Sequence, residues 1–346
     1  MKIDYIYTIY KLKYLRILIY STLIFLLLNI NSCKKDIDVN AKWKDITVVY
    51  GLLNQNDTAH YVRISKAFLG EGNANVMARK TDSTDYPIEI MDVKLEEWSN
   101  NAFVRDYQMT PRTVDKEKGV FGDSLDPKQI VYKTKAKLST DKKYILKITN
   151  LKTGKIIKGE TELINDFFIT KPVTKVSFVG QIESEWYSAK NGRTYQVSIR
   201  FYFDEIDKKT LVFTPRYIDW SLSTHTVSSL NGNTKMTALI PREGFYMNVA
   251  SQLEVNKKIA RKPGKIHFIV WVASDDYNTY LEMSKPSNTI VQEKPIFTNI
   301  DNGIGIFSCR YNKVRELTLS RYDSLVNGRY TKKLGFFEPG MPIPTE

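Results

Sequence analysis

The chain has 346 residues, 51 Lys and Arg against 38 Asp and Glu, 42% hydrophobic residues and two cysteines. That apolar fraction supports buried cores and excludes general disorder, and the length suits two ordinary domains. Two Cys make no disulfide framework, no Cys pair has zinc-finger spacing, and a single long apolar run excludes a polytopic membrane protein.

Lys2, Lys11, Lys13 and Arg16 form a basic opening with one acid, Asp4, and Ile17 to Leu28 is apolar apart from Tyr20, Ser21 and Thr22. As a helix, about 12 residues reach roughly 18 Å, short of a ~30 Å hydrocarbon core. The order is that of a secretory signal peptide rather than a membrane span. Ile30-Asn31-Ser32-Cys33 then resembles the bacterial lipobox, with Asn31 departing from the usual small or apolar residue. That resemblance implies a lipoprotein signal peptide over 1–32 and lipidation at Cys33 by diacylglyceryl and palmitate-type chains. Multiple acyl chains anchor stably where one is marginal. Residues 33–45 are the expected tether. No Asp follows Cys33 directly, so the enterobacterial inner-membrane retention signal is not matched. Lys34-Lys35-Asp36 and Asp38 weakly resemble the surface-export signal of Bacteroidota lipoproteins, which tilts the orientation only slightly from periplasmic towards surface-facing.

Beyond the tether the sequence reads as strands. Ile46–Tyr50, Tyr61–Phe68 and Val93–Trp98 carry branched and aromatic residues in alternation, with Ser99-Asn100-Asn101 turning the third. Gly70–Tyr86 and Thr110–Asp126 lack periodicity and read as long loops. Ile130–Leu138 alternates strongly; a Ser139–Lys142 turn and Tyr144 opening the next strand resemble the E–F corner of immunoglobulin-like and fibronectin-type sandwiches. By that resemblance Tyr144 is structural. Residues 46–165 are therefore expected to form an immunoglobulin-like β-sandwich. Asp166–Pro172 reads as a linker strand into a second β-rich domain over 166–346. Its strands are expected at 175–179, 195–203, 211–213, 236–240 and 266–272, and its helices over 246–259 and 275–284. The 339–344 tail reads as extended. The predicted fold class is thus mostly β: a sandwich followed by a second β-rich domain with a few short helices.

Chemistry is sparse. His60, His225 and His267 are isolated, and none has a second His at metal-ligand spacing. His267 sits within an apolar strand as a core or sheet-face residue. There is no Gly-x-Ser-x-Gly elbow and no P-loop, and Gly303-Ile304-Gly305 lacks the third glycine of a dinucleotide loop. Those glycines read instead as a bulge or close backbone approach. Asp275-Asp276 reads as a helix N-cap, and Cys309 as a small buried hydrophobe. Trp43, Trp98, Trp186, Trp220 and Trp271 suit sheet packing better than a sugar platform. No catalytic, cofactor-binding or metal residue is assigned, so no cofactor and no enzyme activity is expected. Basic residues such as Lys133, Lys135 and Lys137 are spread along strand faces, which argues against a nucleic-acid partner.

The lipobox Cys33, Ile46–Gly51, the Tyr144 corner, Tyr277 with Tyr280, and Asn299-Ile-Asp-Asn-Gly-Ile-Gly-Ile-Phe307 are together similar to a family of uncharacterised Bacteroidota envelope lipoproteins. The resemblance implies an immunoglobulin-like domain before a β-rich one, an outer-membrane location, and association with TonB-dependent receptors. It supplies no catalytic residue. The expected function is a non-enzymatic, lipid-anchored binding or accessory subunit, whose partner is an outer-membrane receptor, an anionic surface polysaccharide or an adhesion target. The alternative is a surface hydrolase acting on glycans or peptides. Removing residues 1–32 takes away four basic residues and one acid, leaving a formal +10 on a solvated surface suited to anionic envelope polymers.

Overall fold

The computed structural model describes residues 46–67, 84–116, 128–285 and 297–344. The signal peptide, Cys33, Trp43 and the tether expected over 1–45 lie outside them. Residues 44–346 form one compact unit, and no helix among the described residues is long and apolar enough to cross a membrane.

The unit is mostly β, two sandwiches with a few short helices. In the first, β1 (Thr47–Leu53), β2 (His60–Lys66), β6 (Lys128–Thr134) and β5 (Thr110–Asp115) lie side by side. They face β3 (Met91–Ser99), β4 (Ala102–Gln108), β7 (Lys143–Asn150) and β8 (Ile156–Glu162), with β16 (Ile300–Asp301) at the edge of this second sheet. Alternation explains the layering: in β7, Tyr144, Leu146, Ile148 and Asn150 are buried while the intervening residues are more exposed. The Tyr144 corner is present. The fully buried phenol oxygen accepts the Ser139 backbone N–H at 2.8 Å.

The second sandwich contains β13 (Phe213–Thr226), β12 (Thr194–Asp207), β15 (Ile259–Ala273), β17 (Gly303–Leu319) and β10 (Lys175–Val176) in one sheet. The other holds β14 (Lys235–Ile240), β11 (Ile182–Tyr187) and β9 (Ile169–Lys171). Helix α1 (Gly244–Gln252) inserts Phe245, Tyr246 and Val249 into the core, with Phe245 stacked on Phe178 at 4.0 Å. Helix α2 (Asp275–Ser284) follows β15, and α3 (Asp323–Val326) follows β17. A second tyrosine corner closes this half: the buried Tyr195 hydroxyl accepts the Ala189 N–H at 2.7 Å.

Strand β17 joins the halves. Gly303–Cys309 pairs in parallel with β1, and Arg310–Leu317 pairs antiparallel with β15. The sequence reading assigns everything after 165 to the second domain; the ladder instead returns Ile300–Cys309 to the first sandwich. Such a return is invisible to periodicity, because it is a partnership between segments some 250 residues apart. One continuous hydrophobic cluster runs through both halves. Gly305 has φ +109° and leaves no room for a Cβ against the Val49 backbone, which is the close backbone approach expected of that glycine pair.

Other expectations are corrected. Thr110–Asp115, read as loop, is a strand pairing with β6, and its weak pattern reflects a strand exposed nearly throughout. The strand expected at 211–213 instead begins at Phe213 and runs to Thr226 as an exposed edge, with 211 and 212 in its turn. The strand expected over 175–179 is confined to Lys175–Val176. The first expected helix, 246–259, is shorter and earlier, spanning Gly244–Gln252: the backbone turns extended at Leu253, and Ile259 already belongs to β15. The second spans 275–284 as expected, but Ser274, not the aspartate pair, caps it by accepting the Tyr277 N–H.

Candidate functional site

Where β17 passes from one sandwich to the other, the loop ends of both converge on a polar groove. A pocket of about 410 Å³ is lined by Trp98, Asn100, Asn101, Lys142, Lys143, Glu162 and Lys190, among others. A second, of about 250 Å³, shares Lys143 and Glu162 and adds Glu160, Asn191, Ser274, Asp275, Asp276 and Ser308.

Local structure explains each placement. Asn100 and Asn101 take φ of 48° and 61°, the left-handed pair that a tight β3–β4 hairpin needs and that Asn tolerates. The turn puts Trp98 at the groove edge, its ring edge-on to Phe103 at 5.8 Å and its Nε1–H donating to Glu96 at 3.0 Å. Lys142 leaves the Tyr144 corner, donating to Ser99 Oγ at 3.0 Å and pairing with Asp141 at 2.9 Å. Hydrogen bonds from Ser139 and Lys142 hold the Asp141 carboxyl down at about 2. Glu160 and Glu162 face outward because β8 buries Ile157, Gly159 and Thr161. From the second sandwich, Asn191 (φ 64°) sits in the turn before β12.

The carboxylates of the groove are engaged rather than paired with each other. Glu160 meets Lys143 at 2.6 Å, and Asp275 meets Arg193 at 2.5 Å. Asp276 accepts from Asn299 Nδ2 at 2.9 Å, and Glu162 from Asn191 Nδ2 at 3.3 Å. Arg193 also donates to the Val227 and Ser228 carbonyls at 2.5 and 2.8 Å, tying α2 to the loop after β13. Ser274 and Ser308 share a buried hydroxyl contact of 2.6 Å beneath the second pocket. Such a surface offers ammonium and amide donors beside carboxylate and amide acceptors, with one aromatic face at its rim. That is the inventory that hydroxyl-rich ligands use.

The residues singled out from sequence fall elsewhere or play supporting parts. His60 is buried in the first sandwich against the Ala136 carbonyl at 3.0 Å, and burial pushes its pKa down. His225 contacts Ser223 Oγ at 2.7 Å, and His267 lies on the outer sheet face within 3.4 Å of Glu316. Cys309 is fully buried, its thiol donating to the Glu162 carbonyl at 3.1 Å and pushed up to about 11 by desolvation. Trp186 is core, Trp220 packs against it, and Trp271 stands on the outer face. Of the pocket residues of the first sandwich, the sequence marks Asn100, Asn101 and Lys142 as turn residues and Trp98 as a sheet-packing tryptophan, and it does not single out Lys143 or Glu162. Their convergence with Lys190 and Asn191 depends on the sharing of β17, which no local signal announces.

No family model matches this chain, and no curated protein does. Among solved structures it is similar to the crystal structure of the C-terminal globular domain of an oligosaccharyltransferase from Pyrococcus abyssi. The identity is 10% and the TM-score 0.24, over 66% of this chain and 48% of that one. The chain thus spans about half the length of that neighbour. A likeness so faint carries no argument.

Proposed function

We propose that this chain is a non-enzymatic, lipid-anchored protein of the cell envelope that serves as a binding or accessory subunit at the outer membrane. Its ligand is a surface saccharide, neutral or anionic, held in the groove between the sandwiches. The observation that carries the ligand class is the lining of the larger pocket: Trp98 at the rim above Asn100, Asn101, Lys142, Lys190 and Glu162. Aromatic faces stack on sugar rings, and side-chain amides and ammonium groups donate to hydroxyl and carboxylate oxygens. Among the described residues Lys190 has no carboxylate partner, which leaves a cation for an acidic sugar. Location rests on the lipobox-like segment ending at Cys33 and on the resemblance to Bacteroidota envelope lipoproteins. A hydrolase is less well supported, since each groove carboxylate is committed to a cation or an amide.

Two experiments test the two parts. In the producing cell, Cys33→Ser abolishes acyl labelling and releases the chain from membranes; retained labelling would sink the anchor. For the ligand, the full chain is screened against envelope polysaccharides, and Trp98→Ala and Lys190→Ala each weaken retention about tenfold while Trp271→Ala does not. Equal retention by all four proteins, or none by the unsubstituted chain, would overturn the groove as the site.

A further inference from the structure

At the far end of the β12–β13 hairpin, Leu211, Val212 and Phe213 point into solvent, each more than half exposed. Beside them the loop leading into β15 presents Val255, 59% exposed. The two segments are one surface: Lys208 N–H donates to the Lys258 carbonyl at 2.9 Å, and Asp207 pairs with Ile259. Four lysines lie on the same two segments, Lys209, Lys257 and Lys258 exposed and Lys208 half-buried.

The tip is built rather than frayed. Leu211 takes φ 56°, a left-handed conformation that a branched side chain adopts at a cost. The turn is locked because Leu211 N–H donates to the Asp207 carbonyl at 2.8 Å, and Asp207 N–H to the Val212 carbonyl at 3.1 Å. The one acid of the turn, Asp207, faces its own loop, accepting from Lys209 N, Thr210 N and Thr210 Oγ1 at 3.0, 2.7 and 3.0 Å. With Glu254 the acid of the neighbouring segment, the two segments 207–213 and 254–259 together carry four lysines against two acids and stay net positive. Under the tip, Ile206, Ala260 and Phe337 form a small separate core. A rigid apolar point among these lysines matches a membrane interface, where alkyl and aromatic side chains enter the acyl boundary and lysines snorkel to anionic headgroups.

The geometry points to this tip as a membrane-contacting wedge, with Leu211, Val212 and Phe213 inserting into an anionic bilayer and the lysines binding its phosphates. It is independent of the groove and of acylation at Cys33, and it fixes which end of the second sandwich faces lipid.

The test places an environment-sensitive fluorophore on Val212→Cys in the full chain, reconstituted in vesicles of phosphatidylethanolamine and phosphatidylglycerol. Leu239→Cys, on an exposed position of β14, is the control. The unsubstituted chain gives the background, and buried Cys309 resists labelling. The probe at 212 shifts to the blue and is quenched by nitroxide-bearing lipid, while the probe at 239 does neither. Adding Lys208→Glu and Lys209→Glu lowers the inserted fraction by roughly fivefold per lysine removed. No shift at 212, equal shifts at both sites, or an unchanged signal in the lysine variant would overturn the wedge. A shift seen only in native envelope fragments would overturn it in favour of a protein partner.

Discussion

Gly305 lies directly opposite Val49 in the parallel ladder between β17 and β1, so close that a Cβ on Gly305 would sit 2.1 Å from the Val49 carbonyl oxygen. No side chain relieves that contact, since the obstructing atom is backbone. The φ of +109° is also one that only glycine adopts freely. Gly305→Ala therefore both strains the backbone and pushes β1 from β17, destabilising by about 3 kcal/mol or more. Urea unfolding followed by fluorescence and far-UV circular dichroism checks this. Because β17 serves both sandwiches, the loss appears in the whole transition; a variant as stable as the parent would show that the pairing is not required.

The two tyrosine corners make a graded pair. Tyr144 receives the partly buried Ser139 N–H, whereas Tyr195 receives the N–H of Ala189, which is itself buried. Burial pushes both phenols up to about 12, so both stay protonated across the ordinary pH range. Removing either hydroxyl leaves a donor behind, and the cost follows how well water can replace the lost acceptor. Tyr144→Phe is expected to cost about 1 kcal/mol and Tyr195→Phe about 2 kcal/mol. Denaturant midpoints of the two variants decide it, and a reversed order would contradict the burial argument.

What could be read in advance follows the same physics. Tyr144 was legible because the corner is local: its hydroxyl and the N–H partner lie five positions apart. Strand β15 was legible over 266–272, where one face meets the core. Helix α2 was legible from its polar start and spaced tyrosines. Strand β13 was not, because its early residues lie exposed at a sheet edge and carry no apolar alternation. The groove was least legible. Trp98 and Lys190 are 92 positions apart and meet only because a shared strand sets one sandwich against the other.

Arg261 and Glu205 form the most enclosed ion pair of the second sandwich, with the Arg261 side chain only 4% exposed. Nε and Nη2 reach Glu205 Oε1 at 3.0 and 2.8 Å, and Nη1 donates to the Leu334 carbonyl at 2.5 Å. Arg216 approaches the same carboxylate from solvent at 3.2 Å. Removing the carboxylate strands a buried guanidinium, so Glu205→Ala is expected to cost about 3 kcal/mol. Arg216→Ala, at an exposed position, costs under about 1 kcal/mol. Thermal melts of the two variants check the contrast, and equal losses would mean that the pair is effectively solvated.

His60 makes folding stability depend on pH. Its ring is buried, with one nitrogen facing the Ala136 carbonyl at 3.0 Å and Nδ1 without a hydrogen-bond partner. Desolvation dominates and lowers the pKa below the ordinary 6.5, although the Ala136 carbonyl and Asp57 oppose it. Nε2–H thus donates to Ala136 in the neutral ring. In the unfolded chain the imidazole takes a proton near 6.5, while in the folded chain it resists until lower pH. Between those values the unfolded state binds more protons, so stability rises with pH there. The contribution of His60 is therefore fully favourable above about 7, and it declines as pH falls through 6.5. It levels off only below the folded-state value. His60→Gln, which keeps a donor for Ala136 but cannot titrate, is expected to flatten this part of the curve. Unfolding free energies of parent and variant between pH 7.5 and roughly 5 measure the difference, whose slope stays below one proton. Parallel curves would show that the ring titrates alike in both states, and that the Ala136 contact balances the burial.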